Sequence, residues 1–498
     1  MGEDVTQREF TRADRARFRT KSQRCMDALT RMLAEGAFEA GEPLLGMEVE
    51  LNLVDDEMQP AMANAEVLAA IADPDFQTEL GQFNIEINVA PQSFRGDETL
   101  ALERKLRASL NAADAKARSR GARLVMVGML PTLRQEHFRR QWLSQNPRYE
   151  LLNQQIFALR GEDIELDIEG VPMPGRQHGE HLHVTTDSIV PEAACTSVQL
   201  HLQVEPDDFA AHWNAAQCMA GVQVALAANS PFLAEAALWH ESRIPLFEQA
   251  TDTRSPELRN QGVRPRVWFG ERWITSIFDL FEENSRYFPA LLPVCADEDP
   301  LAELDAGRTP GLQELKLHNG TVYRWNRPVY DTVNDTPHLR IENRVLPAGP
   351  SVLDTMADAA FYYGLLRALA SDERPLWTQM TFNAAAENLH NGAREGLHAQ
   401  LYWPELGWVR ADELVLRRLL PMAHAGLVSY GVSQRAADRY LGVIEGRCQN
   451  GRTGSVWQRQ RVATLERGGM DRPAALAQML RDYTEGMHAD DPVHAWPL

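Results

Sequence analysis

Four short segments of the sequence place acidic and other ligand-type side chains at every second position. They are residues 46–52 (GMEVELN), 84–89 (NIEINV), 197–204 (SVQLHLQV) and 338–345 (HLRIENRV). Because successive side chains of a β-strand point to opposite faces, each segment is predicted to be a strand with one polar and one apolar face. Glu48 and Glu50 then share one face, and so do Glu342 and Arg344.

These residue types suit the chemistry of a magnesium–nucleotide site. Carboxylate oxygens bind Mg²⁺, which usually bridges protein acids to the phosphates of a substrate. Clustered carboxylates repel each other, so they imply a bound cation or shifted pKa values. A guanidinium beside them offers a planar fork to phosphate oxygens. A sheet face with several acids, one histidine and two arginines is therefore what a Mg–ATP site needs.

A simpler explanation for the alternation is an antiparallel sheet with one solvated face. For a single strand this explanation is sufficient, because most polar strand faces are merely wet. Four such strands favour the site, because their polar positions do not show the Thr, Lys and Ser mixture of an ordinary solvated face.

The elements that would position these residues indicate an α+β fold with an antiparallel sheet flanked by helices. Strands spread through the first 350 residues without regular βαβ alternation, and from about residue 352 helix follows helix with no clear strand. We therefore expect three parts, which are a polar N-terminal segment (1–20), a catalytic α+β domain (21–350) and a helical C-terminal part (351–498) that packs on it. The predicted helices include residues 22–33, 97–120, 209–228 and 352–370, and further predicted strands include residues 122–129, 181–185 and 322–325.

Composition and charge narrow the classes of partner. The chain has 498 residues, a hydrophobic fraction of 44% and a formal net charge of −20. Such a charge disfavours nucleic acid and anionic membranes as partners, although it also serves solubility alone. The five cysteines are far apart and no stretch of 18 apolar residues or apolar leader occurs, so we expect a cytoplasmic enzyme of small molecules. The oligomeric state is not indicated.

Three histidines, His178, His181 and His183, fall within six residues. A strand could place two of them on one face, as in a zinc site. Neither an H-E-x-x-H helix nor a cysteine cluster supports catalytic zinc, so a polar loop beside the active site is the favoured interpretation. The sequence also lacks the P-loop G-x-x-x-x-G-K-[ST] and the hydrolase elbow G-x-S-x-G.

Six segments, in order, resemble motifs of the glutamate–cysteine ligase family, which belongs to the glutamine-synthetase-like superfamily. The resemblance covers roughly residues 45–460, and Glu79 stands before the second motif, where another acid is usual. The matching segments are residues 46–50 (GMEVE), 84–91 (NIEINVAP), 199–201 (QLH), 225–232 (ALAANSPF), 340–344 (RIENR) and 388–397 (NLHNGAREGL).

The resemblance implies a catalytic sheet of glutamine-synthetase type and an ATP-dependent ligase. ATP would phosphorylate the γ-carboxylate of glutamate, and the amine of cysteine would attack the acyl phosphate to give γ-glutamylcysteine, ADP and phosphate. Two alternatives stay open, which are the same chemistry with another amine and a catalytically silent relative that binds nucleotide or metal. The intact set of acids argues against the silent relative.

By position, the resemblance also implies roles for individual residues. The expected ligands of two or three Mg²⁺ ions are Glu48, Glu50, Glu86, His201 and Glu342. Glu342 and Arg344 are the expected catalytic pair, and phosphate binding is expected from Arg340, Arg344 and Gln199. Candidates for a substrate carboxylate are Arg243, Arg324 and Arg327, for which a salt bridge is an equal alternative. Two departures are an Asn at position 343, where an apolar residue is usual, and the lack of an evident pocket for a thiol.

Overall fold

A seven-stranded antiparallel sheet forms the centre of the computed structural model, which describes residues 9–39, 41–489 and 491–498. Its strand order is β12-β13-β7-β1-β3-β2, and β4 pairs with β1. The central sheet consists of β1 (Leu45–Val54), β2 (Phe76–Thr78), β3 (Asn84–Gln92), β4 (Arg123–Val125), β7 (Val198–Gln203), β12 (Asn326–Val333) and β13 (Thr336–Asn343).

In the described part of the chain, four small two-stranded sheets lie outside the central one. Their strands are β5 (Ile164–Glu169), β6 (His181–Thr186), β8 (Phe232–Leu233), β9 (Ala236–Ala237), β10 (Val267–Trp268), β11 (Tyr323–Arg324), β14 (Gln400–Trp403) and β15 (Gly407–Arg410). The mixture of helices with an antiparallel central sheet confirms the predicted α+β class.

The helices surround the sheet and make up most of the chain after it. They are α1 (Arg12–Glu35), α2 (Asn64–Ile71), α3 (Glu98–Arg118), α4 (Pro147–Arg160), α5 (Pro206–Ala227), α6 (Arg243–Ala250), α7 (Pro256–Asn260), α8 (Ile277–Tyr287), α9 (Pro300–Asp305), α10 (Gln313–Asn319), α11 (Val352–Ala370), α12 (Phe382–Glu395), α13 (Ala411–Leu414), α14 (Leu420–Ser429), α15 (Gln434–Asn450), α16 (Gly454–Arg467) and α17 (Arg472–His488). None of them, within the described residues, combines the length and apolar character that a membrane crossing requires.

The apolar face of the sheet packs into the main hydrophobic core. Met47, Val49 and Leu51 of β1 alternate with the acids of that strand and belong to one buried cluster with residues of α5 and α11. Both helices are buried on nearly every side, which is typical of helices at the centre of a large domain. The core thus fixes the apolar face of each strand and turns the opposite face toward the cleft described below.

Helix α1 begins earlier than the apolar pattern over residues 22–33 indicated. Thr11 and Asp14 form a capping box at its N-terminus, and Gly36 closes it in the left-handed conformation (φ 65°). Residues 12–20 are therefore helical, because capping rather than apolar spacing decides where this helix starts.

The C-terminal part contains a hairpin that the sequence did not predict. Strands β14 and β15 pair antiparallel across a turn in which Glu405 and Gly407 have positive φ angles of 67° and 71°. Their few residues show too little alternation to be distinguished from loop, so the expectation of helices alone was wrong here. Residues from both sides of position 350 share the main core, and the division into domains stays a prediction.

Candidate active site

Strand pairing brings the predicted acids together on the polar face of the sheet. Strand β1 lies between β7 and β3, so that Glu48 stands opposite Gln199 and Glu50 stands opposite Glu86. Directly opposed residues in antiparallel strands point to the same face. Side chains that are more than 30 residues apart in sequence therefore meet at one place.

The same face continues across β7 to β13 and β12. Glu342 of β13 stands opposite His201 of β7 on one side and opposite Arg327 of β12 on the other. Arg340 lies two residues before Glu342 on β13 and therefore shares its face.

This face lines a cleft of ≈ 330 Å³. Most of the residues singled out from the sequence contribute to its wall. They are Glu48, Glu50, Glu86, Gln199, Arg327, Arg340, Glu342 and Arg344.

Three carboxylates form a compact group on this face. One oxygen each from Glu50, Glu79 and Glu86 lies within 4.8 Å of the others. Glu50 is held by the backbone N–H of Ser197 at 2.7 Å and by the Gln199 side-chain amide at 2.9 Å. Hard oxygen ligands at this spacing fit Mg²⁺.

The electrostatics of the group show why a cation suits it. Burial, followed by the charges of Glu48 and Glu50, raises the pKa of Glu86 to about 7. Burial and the neighbouring charge of Glu86 raise the pKa of Glu79 well above its usual range. The three carboxylates together therefore carry fewer than three negative charges near neutral pH unless a cation balances them.

A second group centres on Glu342. Arg327 donates to one carboxylate oxygen from Nε at 3.0 Å and from Nη2 at 2.7 Å, and Arg344 donates to the other oxygen at 2.5 Å. Burial by itself would raise the pKa of Glu342, but the charges of Arg327 and Arg344 outweigh it and hold the pKa well below the usual range. Arg344 also donates to Gln199, so the two groups are joined through that amide.

His201 lies beside Glu48, with Nε2 at 3.1 Å from a carboxylate oxygen. The Nε–H of Arg340 donates to Nδ1 of His201 at 3.2 Å, so Nδ1 is the accepting nitrogen and Nε2 carries the proton that faces Glu48. Burial would raise the pKa of Glu48, but the contact with His201 lowers it overall. Arg340 thus engages Nδ1 of His201, whereas Nε2 faces Glu48 without forming a hydrogen bond.

The structure does not bring Arg243 to the cleft. Its buried guanidinium donates to Glu241 at 3.1 Å, to the carbonyl of Arg344 at 3.3 Å and to the carbonyl of Val345. These bonds fix the chain immediately after β13, at Arg344 and Val345.

Arg324 also lies away from the cleft. It donates to Glu283 at 2.9 Å and to Asn284 at 3.0 Å, and it is almost fully buried. Arg327, three residues later on β12, does line the cleft. Of the three candidates for a substrate carboxylate it alone contributes to the cleft wall, where it pairs with Glu342.

Several cleft residues carried no clear signal in the sequence. Glu192 lies on the short 3₁₀ turn Val190–Ala194, and burial together with the charge of Glu50 raises its pKa to about 8. Arg148 comes from α4, and Lys316 of α10 pairs with Asp331 at 2.9 Å. These residues sit on turns and helices, where strand alternation gives no signal; an acid or base there could have been found only from the fold.

Comparison with known proteins finds a matching family model and solved structures of similar fold. Residues 44–478 match the family model described as glutamate-cysteine ligase family 2 (GCS2). No curated protein sequence matches the chain significantly.

Solved structures resemble the fold at low sequence identity. A glutamate–cysteine ligase from Francisella tularensis in complex with AMP has 11% identity and a TM-score of 0.53 over 91% of both chains. A bifunctional glutathione synthetase from Pasteurella multocida has 11% identity and a TM-score of 0.52, covering 94% of this chain and 55% of its own. At this identity the likeness concerns the fold alone.

Proposed function

The chain belongs to glutamate-cysteine ligase family 2 and is an enzyme of the carboxylate–amine ligase type, and we propose that it joins the γ-carboxylate of glutamate to the amine of cysteine with hydrolysis of ATP. The products are γ-glutamylcysteine, ADP and phosphate. One observation carries the proposal. The cluster of three carboxylates and the Arg–Glu–Arg group lie side by side on one sheet face and line one cleft.

The carboxylates are the proposed magnesium ligands. Glu50, Glu79 and Glu86 would hold one ion, and Glu48 and Glu342 would complete two or three sites across the face. Bound Mg²⁺ would neutralise these acids and the phosphates of ATP. The ligand set that we propose contains Glu79 in place of His201, because an oxygen of Glu79 lies close to oxygens of Glu50 and Glu86.

The arginines are the proposed phosphate-binding groups. In the first step an oxygen of the glutamate γ-carboxylate forms a bond to the terminal phosphorus of ATP, and the bond to ADP breaks. Arg344 is held by Glu342 and Gln199 at a fixed place. A preorganised guanidinium there meets the charge that spreads over the transferring phosphoryl oxygens. Arg340 lines the same cleft and is the residue that we propose to bind the phosphate chain of ATP.

In the second step the amine nitrogen bonds to the acyl carbon, phosphate leaves and the nitrogen loses a proton. Several apolar side chains line the cleft besides the charged ones, among them Leu80, Leu152, Phe281 and Leu317. An uncharged thiol suits apolar surroundings better than a charged side chain does. This favours cysteine and also keeps other small apolar amines as alternatives.

A substrate screen tests the proposal. Purified protein is incubated with glutamate, ATP, Mg²⁺ and each amino acid in turn, and phosphate release is measured. We expect cysteine to support the highest rate. Equal rates with several amines, or a different preferred amine, would establish the alternative ligase. No turnover with any amine would leave the silent relative.

A further inference from the structure

The hairpin β5–β6 carries a group of metal-binding side chains that the proposed ligase chemistry does not use. Its inner face is apolar and buried, with Leu166, Ile168 and Leu182 in a second core cluster. Its outer face is exposed, and every residue on it except Thr185 has a side chain that can bind a metal ion. The other residues of that face are Glu165, Asp167, Glu169, His181 and His183.

The side chains on the outer face lie close together. Asp167 is the cross-strand partner of His183, and the two side chains are 3.6 Å apart. His181 Nε2 lies 2.8 Å from Asp167 Oδ1, and His183 Nε2 lies 3.6 Å from Glu165 Oε1. One ligand atom each of Glu165, Asp167 and His183 lies within 4.8 Å of the others.

His183 faces Asp167 through Nδ1 and Glu165 through Nε2, so the spacing that matters for one ion is the 4.8 Å within which one ligand atom of each residue lies. With metal–ligand bonds of about 2.1 Å, tetrahedral donor atoms stand about 3.4 Å apart. The side chains of Asp167 and His183 are 56% and 53% exposed, so their χ angles can change toward that spacing without displacing core side chains.

The backbone beneath the group is held in place from the side. Gln249 of α6 accepts from the backbone N–H of Asp167 at 2.7 Å and donates to its carbonyl at 3.0 Å. Trp239 donates from its indole to the carbonyl of Glu169 at 2.8 Å. The edge strand is therefore fixed at the residue that touches both histidines.

The charge on this face also favours a cation. Its three carboxylates are matched only by two imidazoles, and the described residues of this face include no Lys or Arg. An ordinary exposed strand face mixes Thr, Lys and Glu instead.

We propose that Asp167, His183, Glu165 and His181 form a second metal site, which binds a divalent first-row transition ion such as Zn²⁺. Two imidazoles and carboxylates are the ligand types that select such ions over Mg²⁺. The cleft lining includes none of these residues, so the site is separate from the proposed ligase chemistry, and its test does not depend on that chemistry.

Zn²⁺ titration of the full-length protein tests the site. The protein is first treated with EDTA and dialysed, and Mg²⁺ is then kept in large excess to occupy the carboxylates of the cleft. The binding of Zn²⁺ to the protein is measured by competition with a chromophoric indicator. The variants are His181→Ala/His183→Ala together, and Asp167→Asn alone, which preserves the shape of the face. His424→Ala is the matched control, because His424 also pairs with an aspartate, Asp438 at 3.2 Å, but lies outside the hairpin.

We expect wild type and His424→Ala to bind one Zn²⁺ more than the double-histidine variant. Asp167→Asn should weaken the binding of that Zn²⁺ ion by roughly tenfold or more, since even residues that only orient a ligand contribute 10- to 100-fold to metal affinity. Identical Zn²⁺ binding in wild type and the double variant would overturn the proposal, as would wild type that binds no Zn²⁺ under these conditions. Circular dichroism and ligase activity, measured on the same samples, should be unchanged in all variants.

Discussion

Asn343 and Gln223 exchange two hydrogen bonds in the core behind the candidate active site. Gln223 donates to Asn343 at 2.6 Å, and Asn343 donates back at 3.2 Å and also to Asn326 at 2.7 Å. All three amides are fully or almost fully buried. Asn343 stands between Glu342 and Arg344, so its amide anchors the backbone between the two residues that we propose to be catalytic.

The amide network explains the Asn at position 343, where the family resemblance leads one to expect an apolar residue. Asn326 precedes Arg327 on the neighbouring strand and donates to Gln217 of α5 at 2.7 Å. The network thus ties two strands to one helix at the point where they present Arg327 and Glu342. An apolar residue would fill the space but would not fix the register in this way.

Asn343→Leu should therefore lower both stability and activity. It removes the hydrogen-bond partner of the buried Gln223 amide and of the Asn326 amide oxygen, which costs about 1–3 kcal/mol in the free energy of unfolding. Chemical denaturation measures this loss. The double variant Asn343→Leu/Gln223→Leu should recover part of it, because removing both partners of a buried pair costs less than removing one. A single variant as stable as wild type would contradict the role of the network.

The sequence predicted the polar face of the sheet better than the rest of the site. The structure forms β1, β3, β7 and β13 at the four alternating segments, because alternation is a local property that one buried and one open face impose on each strand. The order of strands, and therefore which acids meet, depends on contacts across the whole chain. It could be inferred only through the family resemblance.

Buried cations show where residue type alone misleads. Arg243 and Arg324 look like anion-binding residues in the sequence, yet each makes its hydrogen bonds inside the protein. Glu192 is the opposite case. It lies on a turn where no periodic pattern marks it in the sequence, yet it lines the cleft. In each case tertiary packing decides, and no local signal carries that information.

Magnesium should be required for turnover and should change stability. If the carboxylate group holds the ion, EDTA should abolish ATP-dependent activity and excess Mg²⁺ should restore it. Glu50→Gln should lower the rate far more than the melting temperature, because it removes a ligand with little change in volume. Burial raises the pKa of Glu50, so the same variant should be at least as stable as wild type in the absence of metal. Full activity after thorough chelation would contradict the magnesium assignment.

The metal-free protein should lose stability as the pH rises toward 7. Burial and the charge of Glu48 raise the pKa of Glu86 to about 7, whereas an unfolded glutamate titrates near 4.3. Between these values the folded state binds more protons than the unfolded state, so this contribution is complete below about pH 4.3 and is lost as the pH rises through about 7.

Glu86→Gln provides the measurement for this prediction. The slope that Glu86 contributes is on the order of 1 kcal/mol per pH unit, and the variant should lack it. Denaturation of both proteins in EDTA at several pH values between 5 and 8 compares the slopes. Equal slopes would refute the linkage. Saturating Mg²⁺ should also flatten the wild-type slope, because it compensates the carboxylate charge.

Arg344→Lys separates a catalytic arginine from a structural one. The substitution keeps the positive charge but loses the planar guanidinium, whose Nη1 donates to both Glu342 and Gln199. If Arg344 meets the phosphoryl group in the transition state, kcat should fall by roughly 100-fold or more, as it does when a single preorganised donor is lost. The KM for ATP should change much less, since ground-state binding does not depend mainly on this contact.

The matched control for Arg344→Lys is Arg264→Lys. Arg264 forms a two-pronged ion pair with Glu271 at 2.7 and 2.8 Å, so it is also an arginine paired with a glutamate, but it does not line the cleft. The variant Arg264→Lys should leave kcat unchanged. If Arg344 acts only as a partner of Glu342, Arg344→Lys should instead lower the melting temperature and leave kcat within a few-fold of wild type. Steady-state kinetics and thermal unfolding of both variants therefore decide between the two roles.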